Sequence, residues 1–220
     1  MTRTDSGGWT IAGLCLALLG IPAITTLHRM LAPDPLGTGG IVVRELAILA
    51  LTAALVALVV KGERLPLTSI GVRPDRVGRS LGWGVLFAVG CFAAVIACLA
   101  IYSVMGIHYG EGQSISRALP VTGLAVLRAG ISEEVLYRGY AIERLQSITG
   151  SKWIAAAVSL ILFAGFHFRQ GLAGVVIALV AGAILTAFYL WKRDLIANMF
   201  AHFLVDFIPN VILPLFGAVD

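Results

Sequence analysis

This 220-residue chain has little charge: 13% of its residues are Asp, Glu, Lys or Arg, against 59% hydrophobic. With a mean hydropathy of +0.94, the polar side chains are too few to cover a water-soluble domain, which excludes a soluble enzyme. Cysteine is scarce too. Cys15, Cys91 and Cys98 all fall in apolar stretches without CxxC spacing, so neither a zinc knuckle nor a disulfide framework is implied and helix packing is their expected role. The sequence also lacks internal repeats, low-complexity tracts, a soluble recognition module and any HExxH, the helix signature that sets two His ligands one turn apart.

What fills the chain is apolar runs. Crossing a hydrocarbon core takes about 17–25 such residues at roughly 1.5 Å each. Runs of this kind occupy 9–27, 41–60, 81–105, 121–144, 153–168, 172–191 and 195–208, with a short apolar tail at 211–219 after Pro209. They predict an all-α, polytopic transmembrane helical bundle of seven to eight helices, one integral membrane domain over 1–220. The first run has the look of a signal peptide, yet a polytopic chain keeps such a segment as its first anchor.

The net charge of +4 reports topology before it reports nucleic acid, and no nucleic-acid partner is expected. With the N-terminus cytoplasmic, that side receives ten basic residues: Arg3, Lys61, Arg64, Arg73, Arg76, Arg79, Arg144, Lys152, Lys192 and Arg193. The other side receives three, Arg29, Arg117 and Arg169. The expected location is a bacterial plasma membrane with the N-terminus inside. Loop 61–80 concentrates five of these cations and is expected against anionic lipid head groups. Arg44, Arg128 and Arg138 lie within spans, where each snorkels or pairs with a nearby acid.

Against this background the stretch ISEEVLYRG, residues 131–139, carries three charges. A charge at the bilayer centre costs at least about 2.5–3.5 kcal/mol, so such residues pair or face a watery cavity. Glu134 and Arg138 are four apart on one helix face, while Glu133 points about 140° away from Arg138. The pattern predicts a neutralised Glu134–Arg138 pair and a Glu133 without an ion partner, the candidate general base. Later spans add His167, at the outer end of its helix, and His202. Asn198, His202 and Asp206 recur at intervals of four and form one polar stripe that must face the bundle. One Glu, two His and an Asp are enough either to activate water directly or to hold a divalent metal through Glu133, His167 and His202.

Three spacings carry a family resemblance: Glu133-Glu134 three residues before Arg138, Phe163 four before His167, and His202 four before Asp206. Over roughly 120–210, the expected catalytic core, the chain resembles the intramembrane proteases that include CAAX prenyl endopeptidases and bacteriocin-processing or self-immunity proteins. The resemblance implies that Glu133 and His167 position and deprotonate the attacking water, that His202 and residue 206 stabilise the oxyanion, and that Glu134, Arg138 and Asn198 support them. The prenyl-protease branch carries Asn at the last position. Asp206 cannot donate to an oxyanion when ionised, which points it towards orienting His202, metal binding or a branch with non-prenylated substrates. No cofactor is favoured, with zinc or a similar divalent metal as the alternative. The expected function is hydrolysis of a peptide bond in a C-terminal tail or small leader-type peptide. The other readings are a transporter or proton relay using the same Glu, His and Asp, and a non-catalytic immunity protein. His28 and His108 are expected to be interfacial, Tyr137 is a weak candidate one turn from Glu133, and the stripe Gly171, Gly174, Ala178, Gly182 is expected to serve close helix packing.

Overall fold

The computed structural model describes residues 3–31, 37–107, 109 and 118–216, and among them there is no strand. Helix α1 is Arg3–Leu31 and α2 is Thr38–Ala57, which closes with a π-helical turn Leu58–Gly62. Two short 3-10 turns, Leu67–Ile70 and Pro74–Arg76, lead into α3, Val77–Met105. Helix α4, Leu119–Glu133, continues without a break through a π-helical stretch, Glu134–Ile142, into α5, Glu143–Thr149. Next come α6, Lys152–Gly165, a 3-10 turn Phe166–Gln170 and α7, Gly171–Lys192. The chain then forms α8, Leu195–Phe207, a π-helical turn Ile208–Ile212 and α9, Leu213–Leu215.

Local chemistry sets several of these boundaries. Gly150, at φ +70, ends α5 in the left-handed conformation that a Cβ would disfavour. Ser151 follows and caps α6 by accepting from the Ile154 N–H. Asp194 does the same for α8 by accepting from Ala197 N–H at 3.1 Å, and takes a further hydrogen bond of 2.6 Å from the Ser80 hydroxyl on α3.

Among the described residues, five stretches are long and apolar enough to cross a membrane, against the seven to eight helices expected. The difference has two physical origins. Residues Lys152–Lys192 form one helical run of 41 residues, because the turn between α6 and α7 is itself 3-10 helix and reverses at Gly171, φ +76. The α4–α5 rod is not among the five. It carries Arg128, Glu133, Glu134 and Arg138 in its middle, the very charges that mark it as chemically distinct. Of the expected apolar tail, residues 217–219 lie outside the described residues.

Helix α3 packs on α7 and α8, α4 on α2 and α8, and α6 on α7. The π-helical stretch 134–142 lies at the centre, touched by α1, α6 and α8, and all nine of its residues are buried. Large apolar side chains such as Met30, Val104, Trp153 and Leu172 stay on the outside, where lipid rather than water is their solvent.

Polar contacts define the two ends of the bundle. At one end Arg144 grips Glu63 with an Nη2–Oε2 distance of 2.7 Å, the Tyr140 hydroxyl donates to the same carboxylate, and Arg193 pairs with Glu143. There Leu195 N–H donates to the Gly71 carbonyl and Arg73 to that of Arg193, tying the 63–76 segment to the α7–α8 turn. At the opposite end the Tyr102 hydroxyl donates to the Ala173 carbonyl at 2.9 Å, and Tyr109 donates to Gln170 Oε1 at 3.2 Å.

Candidate active site

The helical spacing of Glu134 and Arg138 produces a fully buried ion pair, Nη1–Oε1 2.9 Å. The other Arg138 partners come from elsewhere in the fold: Nη2 donates to the Gly182 carbonyl at 3.3 Å, and the guanidinium lies over the Phe163 ring at 4.1 Å. A Cβ on Gly182 would stand 3.0 Å from that Nη2, so glycine here is what lets α7 approach the arginine.

Glu134 also organises α8. His202 Nδ1 meets its Oε1 at 2.8 Å and Asn198 Nδ2 donates to its Oε2 at 3.3 Å, with a second bond from Asn198 to the Leu185 carbonyl at 2.8 Å. A carboxylate only accepts, so Nδ1 of His202 carries a hydrogen. Its other nitrogen, Nε2, faces Asp206 Oδ2 at 3.5 Å and Glu133 Oε2 at 3.9 Å. Asn198 and His202 of the polar stripe therefore contact the α4 rod, while Asp206 meets His202 from its own helix.

Glu133 departs from expectation. It was expected to lack an ion partner, yet Arg128 Nη1 donates to its Oε1 at 2.8 Å. Arg128 is five residues earlier on the same rod and long enough to reach round the helix. Its Nε binds Glu45 Oε2 on α2 at 2.6 Å, and Glu45, itself fully buried, takes a further bond from Arg44. Glu133 thus keeps one oxygen on a cation and turns the other towards His202. Sequence reasoning missed Arg128 and Glu45 as members of the site. The signal at hand was a second intramembrane cation on the rod that carries the paired acids.

His167 lies in the 3-10 turn after α6. Its Nδ1 is 3.0 Å from the Phe163 carbonyl, which can only accept, so Nε2 is the nitrogen with a lone pair when the ring is neutral. Phe163 itself packs against the rings of Tyr137, His167 and His202. Although sequence counting placed His167 at a different depth, it lines the same cavity as Glu133, His202 and Asp206. This cavity has a volume of about 470 Å³, with apolar walls from α3 and α7 such as Leu99, Ile177 and Ala181, and polar Tyr109, Gln170 and Asn210 beside them. Burial raises the Tyr109 phenol above its ordinary value, and the Asp206 carboxylate adds to the shift.

All seven expected site residues come together: Glu133, Glu134, Arg138, His167, Asn198, His202 and Asp206. Tyr137 does not join them by hydrogen bonding. Its ring packs edge-on against Phe163 and Phe166, and its hydroxyl has no hydrogen-bond partner among the described residues. His28 closes α1, and His108 lies outside the described residues. As for a metal, no three His, Cys, Asp or Glu side chains converge in a metal-holding arrangement among the described residues. Of the set expected to ligate a metal, Glu133 keeps Oε1 on Arg128, His202 keeps Nδ1 on Glu134 and His167 keeps Nδ1 on the Phe163 carbonyl, which leaves Glu133 Oε2, His202 Nε2 and His167 Nε2 as their remaining donor atoms.

Fold and site together define a polytopic helical membrane protein with a Glu–His cavity sunk into its bundle. Residues 115–208 match the family model described as type II CAAX prenyl endopeptidase Rce1-like. This bears out the resemblance drawn from the three motifs and supports an endopeptidase of the membrane. No curated protein and no solved structure matches the chain.

Proposed function

We propose that the protein is an intramembrane endopeptidase that hydrolyses a peptide bond with water activated by Glu133 and His167. The observation that carries the reading is that Glu133, His167 and His202, from three separate elements, line one cavity. In this mechanism a water held between Glu133 and His167 gives up a proton as its oxygen attacks the peptide carbonyl carbon. The carbonyl oxygen becomes an oxyanion and takes a hydrogen bond from the Nε2–H of His202, which acts as an imidazolium among the carboxylates of Glu134, Glu133 and Asp206, with its Nδ1–H anchored on Glu134. The tetrahedral intermediate collapses with cleavage of the C–N bond, and the abstracted proton passes to the leaving amine.

Arg128 acts here as a positioning residue. It fixes one oxygen of Glu133 so that the other faces the reacting water. Asp206 orients His202 rather than serving as an oxyanion donor, because a carboxylate has no hydrogen to give. The substrate is a C-terminal tail or a short leader-type peptide threaded into the cavity.

The test is cleavage by the purified protein, assayed on peptides identified by comparing those that accumulate on membranes with wild-type and Glu133→Gln protein. Glu133→Gln keeps a hydrogen-bond acceptor for Arg128 and removes the base, so kcat is expected to fall by about 10²–10⁴-fold with melting temperature unchanged. His167→Ala and His202→Ala are expected to fall comparably, and equal cleavage by all three folded variants would refute the assignment. Activity that survives exhaustive dialysis against a chelator supports direct activation of water, whereas loss restored by zinc would reassign these side chains as ligands.

A further inference from the structure

The basic residues and the mouth of the cavity mark opposite ends of the bundle. The segments that carry most of the basic residues, 61–80, 144–152 and 192–193, meet at one end of the bundle through the Arg144–Glu63, Arg193–Glu143 and Leu195–Gly71 contacts. The cavity runs the other way. Its polar rim of Tyr109, Gln170 and Asn210 belongs to the end marked by the Tyr102–Ala173 and Tyr109–Gln170 contacts, and Gln170 and Asn210 are exposed there.

Between the catalytic side chains and the basic end the bundle is solid. Arg138, Tyr140, Ile70, Tyr189 and Leu195 are each at most 1% exposed. Where the π-helical stretch crosses α8, a Cβ on Gly139 would lie 2.8 Å from Leu195 and 3.0 Å from the Ile70 carbonyl, so no space is left for a peptide. Among the described residues the cavity is blind at the basic end and open at the opposite one.

By the positive-inside rule the end rich in Lys and Arg faces the cytoplasm. We infer that the candidate active site is loaded from the non-cytoplasmic face of the membrane. Its substrate class is then an exported or outer-leaflet peptide segment, rather than a tail presented from the cytosol. The inference deepens the endopeptidase reading, on which the word substrate rests, but the direction of access depends only on geometry and charge.

The test uses intact cells making the full chain with Cys15, Cys91 and Cys98 replaced by Ala. Single cysteines are placed at the rim, Gln170→Cys and Asn210→Cys, and on the exposed surface of α5, Ser147→Cys. A membrane-impermeant maleimide is expected to label both rim positions in intact cells and Ser147→Cys only after permeabilisation. The reverse pattern, or rim labelling that requires permeabilisation, overturns the inference. Labelling needs no catalysis, so its outcome is independent of the Glu133→Gln result. In a second arm, peptides that depend on Glu133 are expected in the medium or outer face fraction, and their confinement to the cytoplasm counts against loading from outside.

Discussion

Arg128 carries two carboxylates at once, Glu45 on α2 and Glu133 on its own rod, and this changes what Glu133 is. A base without a partner is free in orientation, whereas one held by a guanidinium presents a single oxygen in a single direction. Arg128→Gln is therefore expected to lower kcat by roughly 10–100-fold with little change in KM, as expected when a positioned base loses its support. Arg128→Lys should restore part of that loss by supplying the charge without the two-pronged geometry. A rise in KM with kcat intact would instead assign Arg128 to substrate binding. The Glu134–Arg138 pair and the Asn198–His202–Asp206 stripe were legible in the sequence, because both are contacts set by helical periodicity. The Arg128 link was not. It joins residues five apart within the rod and 83 apart across helices, and neither separation is favoured by the one-turn rule.

At the scale of elements, the unforeseen feature is the π-helical stretch 134–142. Its nine residues are buried all round, so they show no amphipathic period to read, and a 3.6-residue template treats them as ordinary helix. Widening the turn at this point re-aims every side chain downstream of Glu133, a usual setting for such segments at functional sites. The approach of α4 to α8 is a second element-scale constraint. A Cβ on Gly130 would lie 3.0 Å from the Phe203 backbone nitrogen and 3.1 Å from the Met199 carbonyl, while one on Gly123, two turns earlier, meets nothing within 4 Å. Gly130→Ala is expected to cost about 1–3 kcal/mol through overpacking and to lower activity by prising His202 from Glu133. Gly123→Ala is expected to be neutral or up to about 1 kcal/mol stabilising. Thermal unfolding in detergent distinguishes them, and equal melting temperatures would contradict the close packing of α4 on α8.

For the whole molecule, the latch between Arg144 and Glu63 joins the end of the α4–α5 rod to the segment after α2. Both side chains are nearly buried, at 8% and 3% exposure. Removing one partner from a buried pair leaves the other uncompensated, so Arg144→Ala is expected to destabilise by about 3–5 kcal/mol. The double variant Arg144→Met with Glu63→Gln should recover much of the loss, as read from unfolding curves of the detergent-solubilised protein. Composition made the all-helical membrane architecture legible, since apolar runs of spanning length admit little else. It did not disclose how the rods meet. The 61–80 loop, expected against lipid head groups for its basic residues, also sends Glu63 into the bundle and folds back on the α7–α8 turn, through contacts more than 75 residues apart in sequence.

The sealed floor beneath the candidate site has a consequence for the membrane itself. A cavity that admits water part of the way through a bilayer thins the insulating layer, and a continuous wet path would dissipate the ion gradients on which a cell lives. Here the cavity wall includes Phe163 and Gly182, and behind it pack Arg138, stacked over Phe163, and the buried Tyr137 and Tyr140. The packed side chains leave protons and metal cations no chain of water molecules to follow. The molecule is a pit and not a pore, and proteoliposomes containing it are expected to hold an imposed proton gradient as long as protein-free vesicles do.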